Sequence, residues 1–159
     1  MSIEIDKQKH TPKQIFGLLN HRVSDWFKAK FGTFTEPQLY SIPNIHYRQN
    51  TLISAETGTG KTLSAFAAIL SELHNYEEQG ILEDKIYCVY ISPLRALNND
   101  IKRNLLDPLE AIKTSAKKEG KKIDVRVAVR TGDTTPSERA KMTRKPPHIL
   151  ITTPESLAI

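Results

Sequence analysis

Apolar residues along the chain recur first at helical spacing and later in short continuous runs. Ile15, Leu18 and Leu19 line one side of a first helical pattern, and Trp26, Phe27 and Phe31 mark a second from about Ser24. Thr35-Glu36-Pro37-Gln38 opens a third, because Thr35 can cap it and Gln38 three residues on completes a capping box. From Thr51 the texture changes. Leu52 and Ile53 predict a short apolar strand running into a glycine-rich turn, and Leu63, Phe66, Ala67, Leu70 and Leu73 predict a helix that stops near Gly80. Residues 86–91 form an unbroken β-favouring run, which reads as a strand covered on both faces. Ser92-Pro93-Leu94-Arg95 opens a helix carrying Leu97, Ile101 and Leu105, and Asp107-Pro108-Leu109-Glu110 reads as a fresh helix start. Ile123, Val125, Val127 and Val129 alternate with polar residues, as in a strand with one wetter face. Thr131-Gly132-Asp133 is a turn, Thr135-Pro136-Ser137-Glu138 starts a short helix, residues 148–151 are a last strand, and Thr153-Pro154-Glu155 begins one more helix. Strands alternating with helices predict an α/β fold with a parallel sheet and right-handed crossovers.

Composition narrows the class. The chain has 159 residues, 38% hydrophobic and 26% charged, enough to bury a core. No apolar run approaches the roughly 18–20 residues of a membrane-spanning helix, and the charged N-terminus lacks a signal-peptide core. One cysteine, Cys88, excludes an internal disulfide framework, and in an apolar strand it reads as a core residue. The five histidines show no ligand spacing. A cytoplasmic, soluble protein without a membrane partner is expected. The net charge of +5 permits a polyanionic partner but does not by itself identify one.

The strongest chemical signal is Ala55-Glu56-Thr57-Gly58-Thr59-Gly60-Lys61-Thr62. A strand, a glycine-rich turn and Lys-Thr opening a helix make a phosphate loop. Glycines let backbone N–H groups approach phosphate oxygens, and the helix start adds partial positive charge. Lys61 is placed to reach the β- and γ-phosphates of ATP as the catalytic lysine, and Thr62 to hold Mg²⁺ through its hydroxyl. Ala55 stands where the general pattern has its first glycine, a form used by superfamily 2 helicases.

Parallel strands put all their carboxyl ends on one edge, where ligands bind. Three strands are expected to end there, at Ser54-Ala55, Ser92-Pro93 and Thr152-Thr153-Pro154, each followed by a helix start with free N–H donors. One such site suits a nucleoside triphosphate, and its neighbours suit the phosphates of a nucleic-acid strand, with Arg95 adding a direct contact.

Several segments follow in an order that identifies a family. They are Thr35 to Gln38, the phosphate loop, Tyr90 to Asp100, Arg130 to Thr134, and Lys145 to Leu157. The chain resembles the Lhr (large helicase-related) group of superfamily 2 helicases from about Phe31 onward. The resemblance implies the N-terminal part of a RecA-like ATP-binding domain over residues 35–159, preceded by a lead-in with short helices over 1–34. It implies that Gln38 reads adenine, with Phe31 or Trp26 packing on the base. It assigns Ser92 to Leu97 to motif Ia and Thr152 to Ser156 to motif Ib, both lining a single-stranded nucleic-acid track, DNA by preference, with Thr131 and Gly132 on the same side. ATP-driven translocation, unwinding and DNA repair are the activities implied. The family's motif II acids, its second RecA-like domain and the arginine finger have no counterpart here. The chain is therefore expected to be a fragment that is not catalytically competent alone, with the second domain of the same protein as its partner.

Two other classes fit parts of the pattern. Another P-loop enzyme, such as a small-molecule kinase, would use the loop but needs a lid and an acceptor site. A non-enzymatic nucleotide- or nucleic-acid-binding module would need no hydrolysis at all.

Overall fold

The computed structural model of the chain describes residues 4–93 and 100–158. In chain order the elements are α1 (Pro12–Leu18), α2 (His21–Phe31), α3 (Glu36–His46), α4 (Lys61–Glu78), β1 (Cys88–Ile91), a π-helical turn (Lys102–Leu106), α5 (Asp107–Lys118), β2 (Val127–Arg130), α6 (Pro136–Arg144), β3 (Ile149–Thr152) and α7 (Pro154–Leu157). The strands form a parallel sheet in the order β1-β3-β2. Its register pairs Tyr90 with Ile151 and Val129 with Ile151, so neighbouring strands run level to a common carboxyl edge. The expected α/β architecture is present.

One face of the sheet carries the core. Ile15 of α1, Phe27 of α2, Ile42 of α3, Phe66 of α4 and Ile112 of α5 join Ile149 and Ile151 of β3 in a single buried cluster. Burying each such side chain contributes about 1.5–3 kcal/mol. The lead-in helices are part of this core, because Val23 and Phe27 are essentially inaccessible. They are also pinned by polar contacts. The Asn20 N–H donates to Ser71 Oγ at 2.6 Å, and the Arg22 guanidinium, itself buried, reaches Glu78 at 3.2 Å and Glu119 at 3.0 Å. Those bonds tie α2 to the far ends of α4 and α5.

Three expectations are corrected. Leu52 and Ile53 are not in a strand, and Leu52 is 83% exposed. A strand exists only when its backbone groups are paired, and among the described residues nothing pairs with this stretch. Second, β1 is not covered on both faces: Val89 and Ile91 are about half exposed while Cys88 and Tyr90 turn toward the core. Helices α1 to α5 supply that one covered face, and α6 has no buried residue. Also, β1 is an edge strand among the described residues, with its outer backbone groups unpaired. Third, Asp107-Pro108 does not begin a fresh helix. The preceding residue Leu106 is already helical, and the Asp107 N–H reaches back five residues to the Lys102 carbonyl. Pro108 has no N–H to give the Asn104 carbonyl, and widening the preceding turn lets the helix run through the proline.

Other sequence signals are realised. Gly80 adopts φ +70 just beyond α4, as a helix-ending glycine does. Thr135 and Glu138 cap α6 reciprocally, with the Thr135 N–H on Glu138 Oε2 at 2.9 Å and the Glu138 N–H on Thr135 Oγ1 at 3.3 Å. No helix among the described residues is long and apolar enough to cross a membrane.

Candidate nucleotide and nucleic-acid site

The phosphate loop is built by the start of α4 and the end of the segment before it. Glu56, Thr57 and Gly58 are exposed, and Gly58 and Gly60 take φ +87 and +84, a region costly to any residue with a Cβ. Those two glycines let the loop turn its backbone outward above the α4 N-terminus. Lys61 folds back over the loop, its ammonium donating to the carbonyls of Ala55 at 2.6 Å and Glu56 at 2.7 Å. An ammonium has three donors and no acceptor, so these carbonyls hold it where phosphate oxygens could replace them.

Helix α3 clamps the loop from the side. Thr35 Oγ1 donates to the Thr59 carbonyl at 2.7 Å, and Gln38 Nε2 donates to the Gly60 carbonyl at 3.3 Å. The other end of the Gln38 amide accepts the Thr35 N–H at 2.9 Å, which is the capping bond read from the sequence. Gln38 is 2% exposed, so its side chain packs on the loop instead of facing open solvent. One amide hydrogen and one oxygen lone pair of Gln38 stay uncommitted. Of the two aromatic residues considered for the base, Trp26 and Phe31 meet edge to face at 5.7 Å, and Phe31 is 47% exposed.

The loop lies at the same sheet edge as the strand ends. Phe66, one turn beyond Thr62, packs against Tyr90 with ring centroids 5.1 Å apart and planes tilted by 44°, and Tyr90 is two residues before Ser92. A second link is direct: Thr62 Oγ1 donates to Asp100 Oδ2 at 3.0 Å. Sequence reasoning did not single out Asp100. Its spacing from the strand end carries no recognisable signal, and only the folded chain brings it to the threonine.

The edge itself is continuous. Ile91, Thr152 and Arg130 are level neighbours, so Ser92-Pro93, Thr153 and Thr131-Gly132 follow side by side. The Ser92 N–H donates to the Thr152 carbonyl at 3.1 Å. Pro93 and Gly132 are exposed, whereas Ser92, Thr152 and Thr153 are buried. Thr153 caps α7 by accepting the Ser156 N–H at 3.4 Å, and Thr131 is fixed by its N–H on Thr134 Oγ1 at 2.8 Å. Arg95 lies outside the described residues. The third expected strand end, Ser54-Ala55, contributes its loop but no paired strand. No cluster of three or more His, Cys, Asp or Glu side chains that could hold a metal ion occurs among the described residues, and Thr62 with its partner Asp100 lies beside the loop.

The family model for DEAD/DEAH box helicases matches residues 35–159. The chain belongs to the DEAD/DEAH box helicase family. The resemblance to the Lhr group read from its motifs is borne out. The ATP-dependent helicase Lhr-Core of Methanothermobacter thermautotrophicus is 53% identical over 157 residues, covering 99% of this chain and 18% of that relative. The Lhr helicase/uracil glycosylase of Escherichia coli is 41% identical, covering 84% of this chain and 9% of the relative. This helicase-family chain thus spans less than a fifth of the length of each of these two relatives. The solved structure of Mycobacterium smegmatis helicase Lhr bound to ssDNA and AMP-PNP superposes with a TM-score of 0.77 at 38% identity, over 90% of this chain and 18% of that one. The DEAD-box helicase Mss116 bound to ssRNA and UDP-BeF, at 23% identity and a TM-score of 0.72, shares the fold.

Proposed function

We propose that this chain is the nucleotide-binding part of an ATP-dependent helicase that moves on single-stranded nucleic acid, DNA by preference. One observation carries the reading: a loop shaped for phosphates opens beside a continuous edge of parallel-strand ends, with Thr62 hydrogen-bonded to Asp100. The M. smegmatis relative bound to ssDNA and AMP-PNP supports both ligands.

The donor set fits a Mg²⁺-triphosphate. Lys61 would exchange the Ala55 and Glu56 carbonyls for phosphate oxygens, beside the N–H groups of the loop. The Thr62 hydroxyl offers lone pairs to Mg²⁺, which when bound neutralises developing charge on the phosphates. The uncommitted hydrogen and lone pair of the Gln38 amide meet the adenine edge, and Phe31 offers an exposed ring to the base. Along the sheet edge, Pro93, Thr131 and Gly132 form the open surface for the nucleic-acid backbone, and Arg95 adds charge. The buried Ser92, Thr152 and Thr153 shape that surface through caps and sheet bonds. Hydrolysis and unwinding belong to the whole protein, in which motif II acids and a second RecA-like domain complete the site; this part alone turns over little ATP. The readings as a small-molecule kinase or a non-enzymatic module have no comparable support.

The test is nucleotide binding by fluorescence anisotropy, with wild type against Lys61→Ala, together with single-stranded DNA binding across a salt series. Wild type should bind Mg²⁺·ATP and Lys61→Ala should not. DNA affinity of the full-length protein should fall steeply with salt. Failure of wild type to bind nucleotide would overturn the reading.

A further inference from the structure

We propose that Asp100 is a positioning residue for the Thr62 hydroxyl, and that it makes nucleotide binding depend on the divalent cation. The inference rests on the phosphate-loop reading above and adds a residue to it.

A threonine hydroxyl has one hydrogen and two lone pairs. Free to rotate, its hydrogen has no fixed acceptor and its lone pairs no fixed direction until a cation arrives. In this chain the hydrogen is committed, because Thr62 Oγ1 donates to Asp100 Oδ2 at 3.0 Å. Both lone pairs then remain for a metal. Outer groups that fix a ligand in this way change metal affinity by about 10–100-fold when removed.

Asp100 is itself held. Asn104 Nδ2 donates to Asp100 Oδ1 at 2.7 Å and to the Asp100 carbonyl at 2.9 Å. Asn104 lies in the π-helical turn that accommodates Pro108. The widened turn, the asparagine, the aspartate and the threonine therefore make one continuous relay into the phosphate loop.

The carboxylate also adds a full negative charge beside the site. It attracts a divalent cation and repels a triphosphate that lacks one. Asp100 thus strengthens binding of Mg²⁺·ATP and opposes binding of the metal-free nucleotide.

The experiment measures affinity for a fluorescent ATP analogue on the purified chain, with Mg²⁺ and with a chelator, for wild type, Asp100→Asn, Asp100→Ala, Thr62→Ala and Thr62→Ala/Asp100→Ala. The readout is the ratio of the two affinities. Wild type should bind more tightly with Mg²⁺. Asp100→Ala should lower the ratio by about 10-fold or more, and Asp100→Asn, whose amide oxygen can still accept the hydroxyl hydrogen, by less. Their metal-free binding should be unchanged or tighter, which also shows that the variants fold. The double variant should lose less than the sum of the two single losses, because the positioning part of the Asp100 effect acts through the Thr62 hydroxyl. Equal loss with and without Mg²⁺ would mean a merely structural role and overturn the proposal. A wild-type ratio in Asp100→Ala together with a lost ratio in Thr62→Ala would also overturn it, leaving the phosphate-loop reading intact. A wild type indifferent to Mg²⁺ would overturn it too, whereas a wild type that binds no nucleotide in either condition would sink the phosphate-loop reading.

Discussion

The Gln38 amide nitrogen lies 3.3 Å from the Gly60 carbonyl, and a methyl group added at Gly60 would overlap that nitrogen and sit 3.2 Å from Gln38 Cδ. Gly60 is thus required twice, by its backbone angle of +84 and by the closeness of α3. Gly60→Ala should cost about 1–2 kcal/mol from the backbone alone, with more from displacing Gln38. Combining it with Gln38→Ala should recover the second part and not the first. Urea unfolding of the two single variants and the double variant measures this, and strictly additive losses would contradict the clamp.

Phe27 is the centre of an aromatic cluster, with ring centroids 4.4 Å from Phe34, 5.0 Å from Phe31 and 5.9 Å from Trp26. It is 1% exposed. Phe27→Ala should destabilise the chain by about 3–5 kcal/mol. Exposed Phe31→Ala should cost far less while weakening nucleotide binding. Paired denaturation and binding curves separate the two effects.

The buried His148 accepts the Arg126 N–H on Nδ1 at 3.1 Å, and burial, then the nearby Arg126 charge, hold its pKa below the ordinary 6.5. The unfolded chain therefore takes up this proton before the folded one does. Stability from this group is complete above about pH 6.5 and is lost as pH falls below that value toward the lowered folded pKa. His148→Asn, which can keep an acceptor near the same place, should flatten that part of the profile. Unfolding midpoints at pH 7.5 and 5.5 test it: an equal pH slope in variant and wild type would rule the histidine out.

Burial pushes the Cys88 thiol up to about 11. The thiolate is the reactive form, so the native chain should resist iodoacetamide at pH 8 and react readily in urea. Mass spectrometry of the alkylated protein reads this directly, and fast native labelling would contradict the core placement.

The elements that depend only on local chemistry were legible in the sequence. The Thr35–Gln38 cap, the Gly80 stop and the glycine-rich loop carry their reasons within a few residues. The failures share a non-local cause. Leu52 and Ile53 have β-favouring side chains, yet strand formation depends on a neighbour supplied by distant residues. Val89 and Ile91 look like core residues, and whether a helix covers them is decided elsewhere in the chain. Asp107-Pro108 carries a sound local start signal that a widened upstream turn overrides. In the site, Lys61 and Thr62 could be read from their motif, but the Asp100 contact spans 38 positions and had to be seen in three dimensions.

The outer side of β1 has a colloidal consequence. Cys-Val-Tyr-Ile contains no charge and no proline, the two features that usually keep one ribbon from zipping onto another. At high concentration, copies of this chain should stick to each other along that rim, and turbidity rising with protein concentration would be the first sign in the tube.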